Sequence, residues 1–289
     1  MAAAYNAPYR VEPKNAHRYT VILLHGRDSD SREFADEFFE SEASELAGKP
    51  RTRLDLFSDT RWVFPSAPTL HSERFGTEIS QWFDMWSVEN PAERPELQRP
   101  GLSQSIEQIL AVVEEEEKVL PRGQIFLGGI SQGFATAAAA CFAEMRGGFG
   151  GLIGLCGWLP LAPQARECEG EDGLEKLQAI FGNGQATEVD ADSVRKMPIF
   201  LGHSADDGVV PIENGRELRD IVSSHGLQVE WREYEDGGHW VNEPQGVDDI
   251  AGFLRRYPRD LQPAWAIHTG SPTPRGSAHK DQDNVGDVR

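Results

Sequence analysis

From residue 124 to residue 140 the chain reads Gln-Ile-Phe-Leu-Gly-Gly-Ile-Ser-Gln-Gly-Phe-Ala-Thr-Ala-Ala-Ala-Ala, and no other stretch restricts the possible folds as strongly. Ile125-Phe126-Leu127 is an apolar run of buried-strand length. The alanines after Phe134 favour helix. A strand that turns at once into a helix, with a serine at the apex, is the context of a G-x-S-x-G elbow. Such a turn forces the serine onto unfavourable backbone angles and brings neighbouring turns close. Gly129 and Gly133 have no Cβ to clash there. The turn lifts the Ser131 hydroxyl clear of the sheet and aims the first amides of the new helix at whatever that hydroxyl attacks.

The remaining segments alternate in the same way. Residues 19–24, Tyr-Thr-Val-Ile-Leu-Leu, suit a strand buried on both faces and lead into the loop His25-Gly26-Arg27-Asp28. A helix is expected over about Ser31 to Leu46, with Phe34, Phe38 and Phe39 as its apolar stripe. Trp62-Val63-Phe64 reads as a strand, and Leu102, Ile106, Ile109, Leu110 and Val113 share one helical face. Glu114 to Glu117 reads as a solvated helix end rather than a metal site. Residues 151–160 and Pro198-Ile199-Phe200-Leu201 are further buried strands. Val229 to Tyr234 alternates as an outer strand does, and a last helix spans about Gln245 to Arg256. This order predicts one mostly parallel, doubly wound α/β domain over 18–257, with helices on both faces of the sheet. Residues 1–17 are expected as an extended arm, 163–196 as an insertion or lid, and 258–289 as a disordered tail. The irregular stretch 69–100, with Gln81-Trp82-Phe83-Asp84-Met85-Trp86, either folds over the surface near a site or supplies core aromatics.

The net charge of −19 argues against nucleic acid, which is bound through clustered Lys and Arg, and against docking on anionic lipid. No run has the roughly 18 apolar residues of a membrane helix, and no signal or transit pattern opens the chain. Cys141, Cys156 and Cys168 form no C-x-x-C pair and are expected as buried, reduced thiols of a cytoplasmic protein.

A serine hydroxyl needs a base, and the base needs an orienting acid. In the α/β-hydrolase arrangement these follow the serine in the order acid, then histidine, each after a successive strand. Here Ser131 follows one strand, Asp206-Asp207 the next candidate, and His239 a third, flanked by Gly237 and Gly238. The carboxyl ends of parallel strands share one edge of a sheet, so distant residues can meet there. His25 precedes the serine, and His203 reads as a brace for the acid loop. The amides of Gln132 and Arg27 are the candidates for an oxyanion hole. No metal-ligand spacing is present, and the chemistry calls for no cofactor.

Leu24-His25-Gly26, Trp82-Phe83-Asp84, Gly128-Gly129-Ile130-Ser131-Gln132-Gly133, Trp158-Leu159-Pro160, His203 with Asp207 and Val210-Pro211, and Gly238-His239 run in order over residues 18–256. Together they resemble the acyl-protein thioesterase/lysophospholipase (phospholipase/carboxylesterase) family of α/β hydrolases. The resemblance implies Asp207 as the acid, hydrolysis of fatty-acyl esters or thioesters, and Trp82, Trp158, Leu159 and Val209 beside the acyl channel. Its implied partner is an acyl ester or thioester of a lipid, a protein or a small molecule. The alternatives are a carboxylesterase for a small or secondary-metabolite ester and a non-catalytic binding protein on the same fold. Arg27 and Phe134 depart from the small or apolar residues usual at these places. The Arg27 guanidinium is therefore expected to draw anionic substrates.

Overall fold

The structure, a computed structural model, describes residues 6–46, 48–168, 170–182 and 188–256. The expected tail lies outside the described residues. In chain order the elements are β1 (Tyr9–Val11), β2 (Tyr19–Leu24), α1 (Ser31–Glu40), α2 (Arg53–Leu56), β3 (Thr60–Phe64), β4 (Thr69–Ser72), β5 (Thr77–Ser80), α3 (Gln98–Glu117), β6 (Ile125–Ile130), α4 (Gln132–Glu144), β7 (Gly151–Leu155), α5 (Ala162–Arg166), α6 (Gly173–Phe181), α7 (Ala191–Lys196), β8 (Pro198–Ser204), α8 (Ile212–Ser224), β9 (Gln228–Tyr234) and α9 (Gln245–Arg256).

Among the described residues, one sheet runs in the order β1-β3-β2-β6-β7-β8-β9, and β4 and β5 form a separate hairpin. The pairs from β3 across to β9 are parallel, while β1 is antiparallel to β3. The apolar runs supply both faces. Ile22, Leu24, Leu127, Leu152, Ile199 and Leu201 join one core cluster with α3, α4, α6 and α8. Val21, Leu23, Phe126, Ile153, Leu155 and Phe200 join the other with α1 and α9. Alternation along a strand makes adjacent residues serve opposite cores, and each such burial is worth roughly 1.5–3 kcal/mol. The alanines let α4 sit close between sheet and helices, with Gln132 to Ala143 buried throughout.

Several expectations are corrected. Helix α1 stops at Glu40, not Leu46, because Ser41 turns extended and Ala43 N–H donates to Arg51 O. The N-terminal arm enters the sheet as β1. It is held there by Glu116, one of the glutamates expected in water. Glu116 is buried, lies 3.3 Å from Arg10 Nε and 3.1 Å from Arg61 Nη1, and accepts the Thr20 hydroxyl. Within the expected insertion or lid, Leu174, Leu177 and Phe181 of α6 lie in the core cluster. Among the described residues no helix is long and apolar enough to cross a membrane.

Candidate active site

Ser131 sits at the β6–α4 turn with φ 55° and ψ −128°, a strained conformation for a residue with a side chain. Close approach to the end of β2 produces the strain. Leu24 pairs with Gly129, and a Cβ on Gly129 would lie 2.5 Å from Leu24 O. On Gly133 it would lie 2.3 Å from Leu24 O and 2.4 Å from His25 O. The serine does not cap its own helix, so its hydroxyl is not spent on the first helical amides. Gln132 N–H and Arg27 N–H have no hydrogen-bond partner among the described residues. Gly26 brings that second amide close: a Cβ there would lie 3.6 Å from the Ser131 Cβ.

The acid and the histidine come from the ends of neighbouring strands. Ser204 at the end of β8 pairs with Tyr234 at the end of β9. Asp207 Oδ1 accepts the Val209 and Val210 amides at 2.8 and 2.9 Å. Its Oδ2 lies 2.7 Å from His239 Nδ1. A carboxylate only accepts, so Nδ1 carries the proton and Nε2 is left as the basic nitrogen. His203 Nε2 is 2.9 Å from Val210 O, which also only accepts, and 3.2 Å from Asp207 Oδ2. His203 therefore donates and braces the acid loop, as its position in the sequence suggests. Burial alone would raise the pKa of Asp207. The hydrogen bonds from His203 and His239 outweigh it and hold the carboxyl well below its ordinary range. Asp206, left undecided against Asp207 by sequence order alone, accepts Gly238 N–H at 2.8 Å and so fixes the loop that carries His239. Gly237 and Gly238, at φ 125° and 59°, make that loop possible.

Cys156 Sγ, His203 and Asp207 bring potential ligand atoms within 4.8 Å of one another. Burial, then the Asp207 charge, pushes the Cys156 thiol far up, so the sulfur stays protonated. The cluster supports the acid through hydrogen bonds rather than offering a thiolate.

Ser131, His239, Gly26 and Arg27 line one cavity of about 600 Å³. Its remaining wall is largely apolar, with Phe34, Phe75, Ile79, Val88, Val209 and Trp240. The size is within the roughly 300–1,000 Å³ of small-molecule sites.

The sequence model described as phospholipase/carboxylesterase matches residues 6–171, more than half of the chain. The chain belongs to the phospholipase/carboxylesterase family. It is 26% identical over 250 residues to acyl-protein thioesterase 1 of Yarrowia lipolytica, covering 85% of this chain and 94% of that one. It is 27% identical over 233 residues to a probable carboxylesterase of Oryza sativa subsp. japonica, covering 79% and 74%. The crystal structure of Zea mays acyl-protein thioesterase 2 superimposes with a TM-score of 0.64 at 23% identity, over 87% of this chain and 98% of that one, a likeness of fold.

Within this phospholipase/carboxylesterase domain, only some of the residues expected at the acyl channel reach the cavity. Val209 does. Trp82, Trp158 and Leu159 are not among its lining residues and are at most 1% exposed. Trp82 instead donates its indole N–H to His25 O at 2.8 Å, and its own amide donates to Gln132 Oε1 at 2.9 Å. It ties the loop after β2 to the first residue of α4. His25 completes that tie. Ala67 N–H donates to its Nε2 at 3.0 Å, so Nδ1 carries the proton and donates to Gly26 O at 2.7 Å. Phe134 is core, not channel: a Cβ on Gly154 or Gly157 would lie 2.6 or 2.7 Å from its ring. The Arg27 guanidinium donates through Nε to Gln81 and through Nη2 to Ser72, so part of it is engaged with the hairpin. Sequence reasoning missed Phe75, Thr77 and Ile79 of the β4–β5 hairpin, which replace the tryptophans as cavity wall. Alternating exposed residues in a short segment gave no apolar signal there.

Proposed function

We propose that the protein is a serine hydrolase of carboxylic esters or thioesters whose acyl group is apolar. In this reading His239 Nε2 takes the Ser131 proton as Oγ attacks the acyl carbonyl, forming the C–O bond and an oxyanion. Asp207 holds the imidazole tautomer and stabilises imidazolium. The Gln132 and Arg27 amides receive the oxyanion, each such donor being worth about 3 kcal/mol in the transition state. The carbonyl re-forms as the bond to the alcohol or thiol breaks, and His239 returns the proton to the leaving group. Water, activated by His239, then attacks the acyl-enzyme and releases the acid and the serine.

The observation that carries the reading is the His239–Asp207 pair on the same cavity as a strained, uncapped serine. The apolar wall supports an acyl chain as the recognised part, and the relatives named acyl-protein thioesterase support an acylated protein as one substrate. The wall's aromatic and aliphatic side chains favour chains longer than acetyl over a purely small-ester role. Cys141, Cys156 and Cys168 are unpaired and buried, which supports residence in a reducing, cytoplasmic setting. Hydrolysis of acyl thioesters and aryl esters of rising chain length, with fluorophosphonate labelling, tests the reading. Wild type should turn over and take the label on Ser131, and Ser131→Ala should lose about 10⁶-fold in kcat. Label on another residue, or undiminished turnover by Ser131→Ala, would refute it.

A further inference from the structure

Arg27 faces two ways. Its main chain belongs to the loop beside Ser131, and its side chain runs outward to the β4–β5 hairpin. Nε donates to Gln81 Oε1 and Nη2 to Ser72 Oγ, each at 3.0 Å. Nη2 also lies 4.0 Å from Asp84 Oδ1, and the guanidinium carbon lies 5.1 Å from the centre of the Phe75 ring. The contacts continue around this strut. Asp28 N–H donates to Ser80 O at 2.7 Å, and the Ser80 hydroxyl to Ser29 O at 2.7 Å. Asp84 Oδ2 accepts Glu73 N–H at 3.1 Å, at the turn of the hairpin.

Besides Arg27, the hairpin is held by Gln81 Nε2, which donates to Leu70 O and His71 O, and by Arg74, which donates to Trp86 O and pairs with Glu89. His71, Glu73, Arg74, Phe75, Gly76, Thr77 and Glu78 are exposed. A two-stranded hairpin without a core is marginal by itself. The hydrogen bonds from Arg27 are among the contacts that set where the wall formed by Phe75, Thr77 and Ile79 stands.

We propose that Arg27 is a positioning residue that couples this wall to the oxyanion hole: the contacts that fix the hairpin also fix the angle at which the Arg27 N–H meets the developing charge. The inference rests on the ester-hydrolase reading above. Its consequence is a specificity rule. An acyl chain that presses on the hairpin steadies the Arg27 amide, so chain length raises kcat as well as lowering KM.

The test disturbs the far end of the strut and reads the near end. Ser72→Ala/Gln81→Met removes both Arg27 acceptors, and with Gln81 its bonds to Leu70 O and His71 O, without substituting Ser131, His239 or Arg27; Ser72→Ala alone isolates the Arg27 contact. With an acetyl thioester, too short to reach the hairpin, kcat should fall about tenfold with KM little changed, since a displacement near 1 Å can cost up to about 10²-fold. With an octanoyl thioester kcat should fall and KM rise together. Arg27→Lys, which keeps the charge without the two-pronged geometry, should be intermediate. Adding Arg27→Leu to the double variant should cost little more, because Arg27 has by then lost both of its acceptors. If the double variant does not melt cooperatively, Ser72→Ala alone carries the same readouts.

Unchanged kcat on the acetyl thioester, with only octanoyl KM moving, would make the hairpin a passive wall and overturn the coupling. A wild type that neither hydrolyses nor labels at Ser131 would instead remove the underlying reading, and the coupling with it.

Discussion

The cavity has two walls of different construction. The inner wall is made by the ends of β2, β6, β8 and β9, where Leu24 faces Gly129 and Ser204 faces Tyr234 in adjacent registers. The outer wall is a hairpin outside the sheet, with Phe75 at 57% exposure. Strand ends in one sheet cannot move independently, so groups placed on them hold their angles. A hairpin outside the sheet, fixed by side-chain contacts such as those of Arg27, Gln81 and Arg74, can change residue by residue without disturbing the sheet. Reaction geometry and acyl selection are thereby assigned to parts of unequal stiffness, with Arg27 touching both.

The largest expected effect that would break this comparison is on the inner wall. Asp207→Asn should lower kcat by about 10⁴-fold for every acyl length alike, because the amide favours the wrong imidazole tautomer. A loss confined to long chains would mean the two walls are not separate. The depressed Asp207 pKa also fixes a sign. Its ionised form is favoured by folding, so the stabilisation is full above the ordinary value of 3.8 and fades as pH falls below it.

Next comes Gly133→Ala. Its Cβ would sit 2.3 Å from Leu24 O, between backbones that cannot yield. A loss of about 3 kcal/mol or more in chemical denaturation is expected, from overpacking at a rigid site. A near-neutral result would show the inner wall to be as adaptable as the hairpin.

Ile79→Ala sharpens the contrast from the outer wall. Losing part of a half-buried apolar side chain should reduce octanoyl kcat/KM about fivefold, roughly 1 kcal/mol of contact, and spare the acetyl substrate. Equal loss on both substrates would contradict the division.

The smallest effect concerns His25, beneath the loop that joins the walls. Burial lowers its pKa below 6.5, with the hydrogen bond to Gly26 O opposing. The unfolded chain then binds a proton that the native state refuses, so stability is full above 6.5 and falls as pH drops through that value. The slope is at most about 1.4 kcal/mol per pH unit from this group. Denaturation midpoints at pH 7.5 and 5.5 should differ less in His25→Asn than in wild type. An identical difference would assign the slope to other groups.

Much of the inner wall was legible in the chain itself. Gly129 and Gly133 announce the close approach, the continuous apolar runs announce strands buried twice, and strand order puts Asp207 and His239 after the ends of neighbouring strands. These are local requirements: a backbone angle, a missing Cβ, a period. Glu116 was misread as solvated because nothing near it in sequence shows that Arg10 and Arg61 come to meet it. Trp82 and Trp158 were expected at the channel because a large apolar side chain satisfies a core and a pocket equally well, and only neighbours distant in sequence decide which it enters.

Residue order alone therefore determined the layered fold and the elbow, because both follow from chain geometry over a few residues. Which side chains line the cavity, and which partners the Arg27 guanidinium meets, depended on where β4 and β5 come to rest against Gln81 and Asp84. That is a matter of contacts between segments tens of residues apart, and only the folded arrangement could supply it.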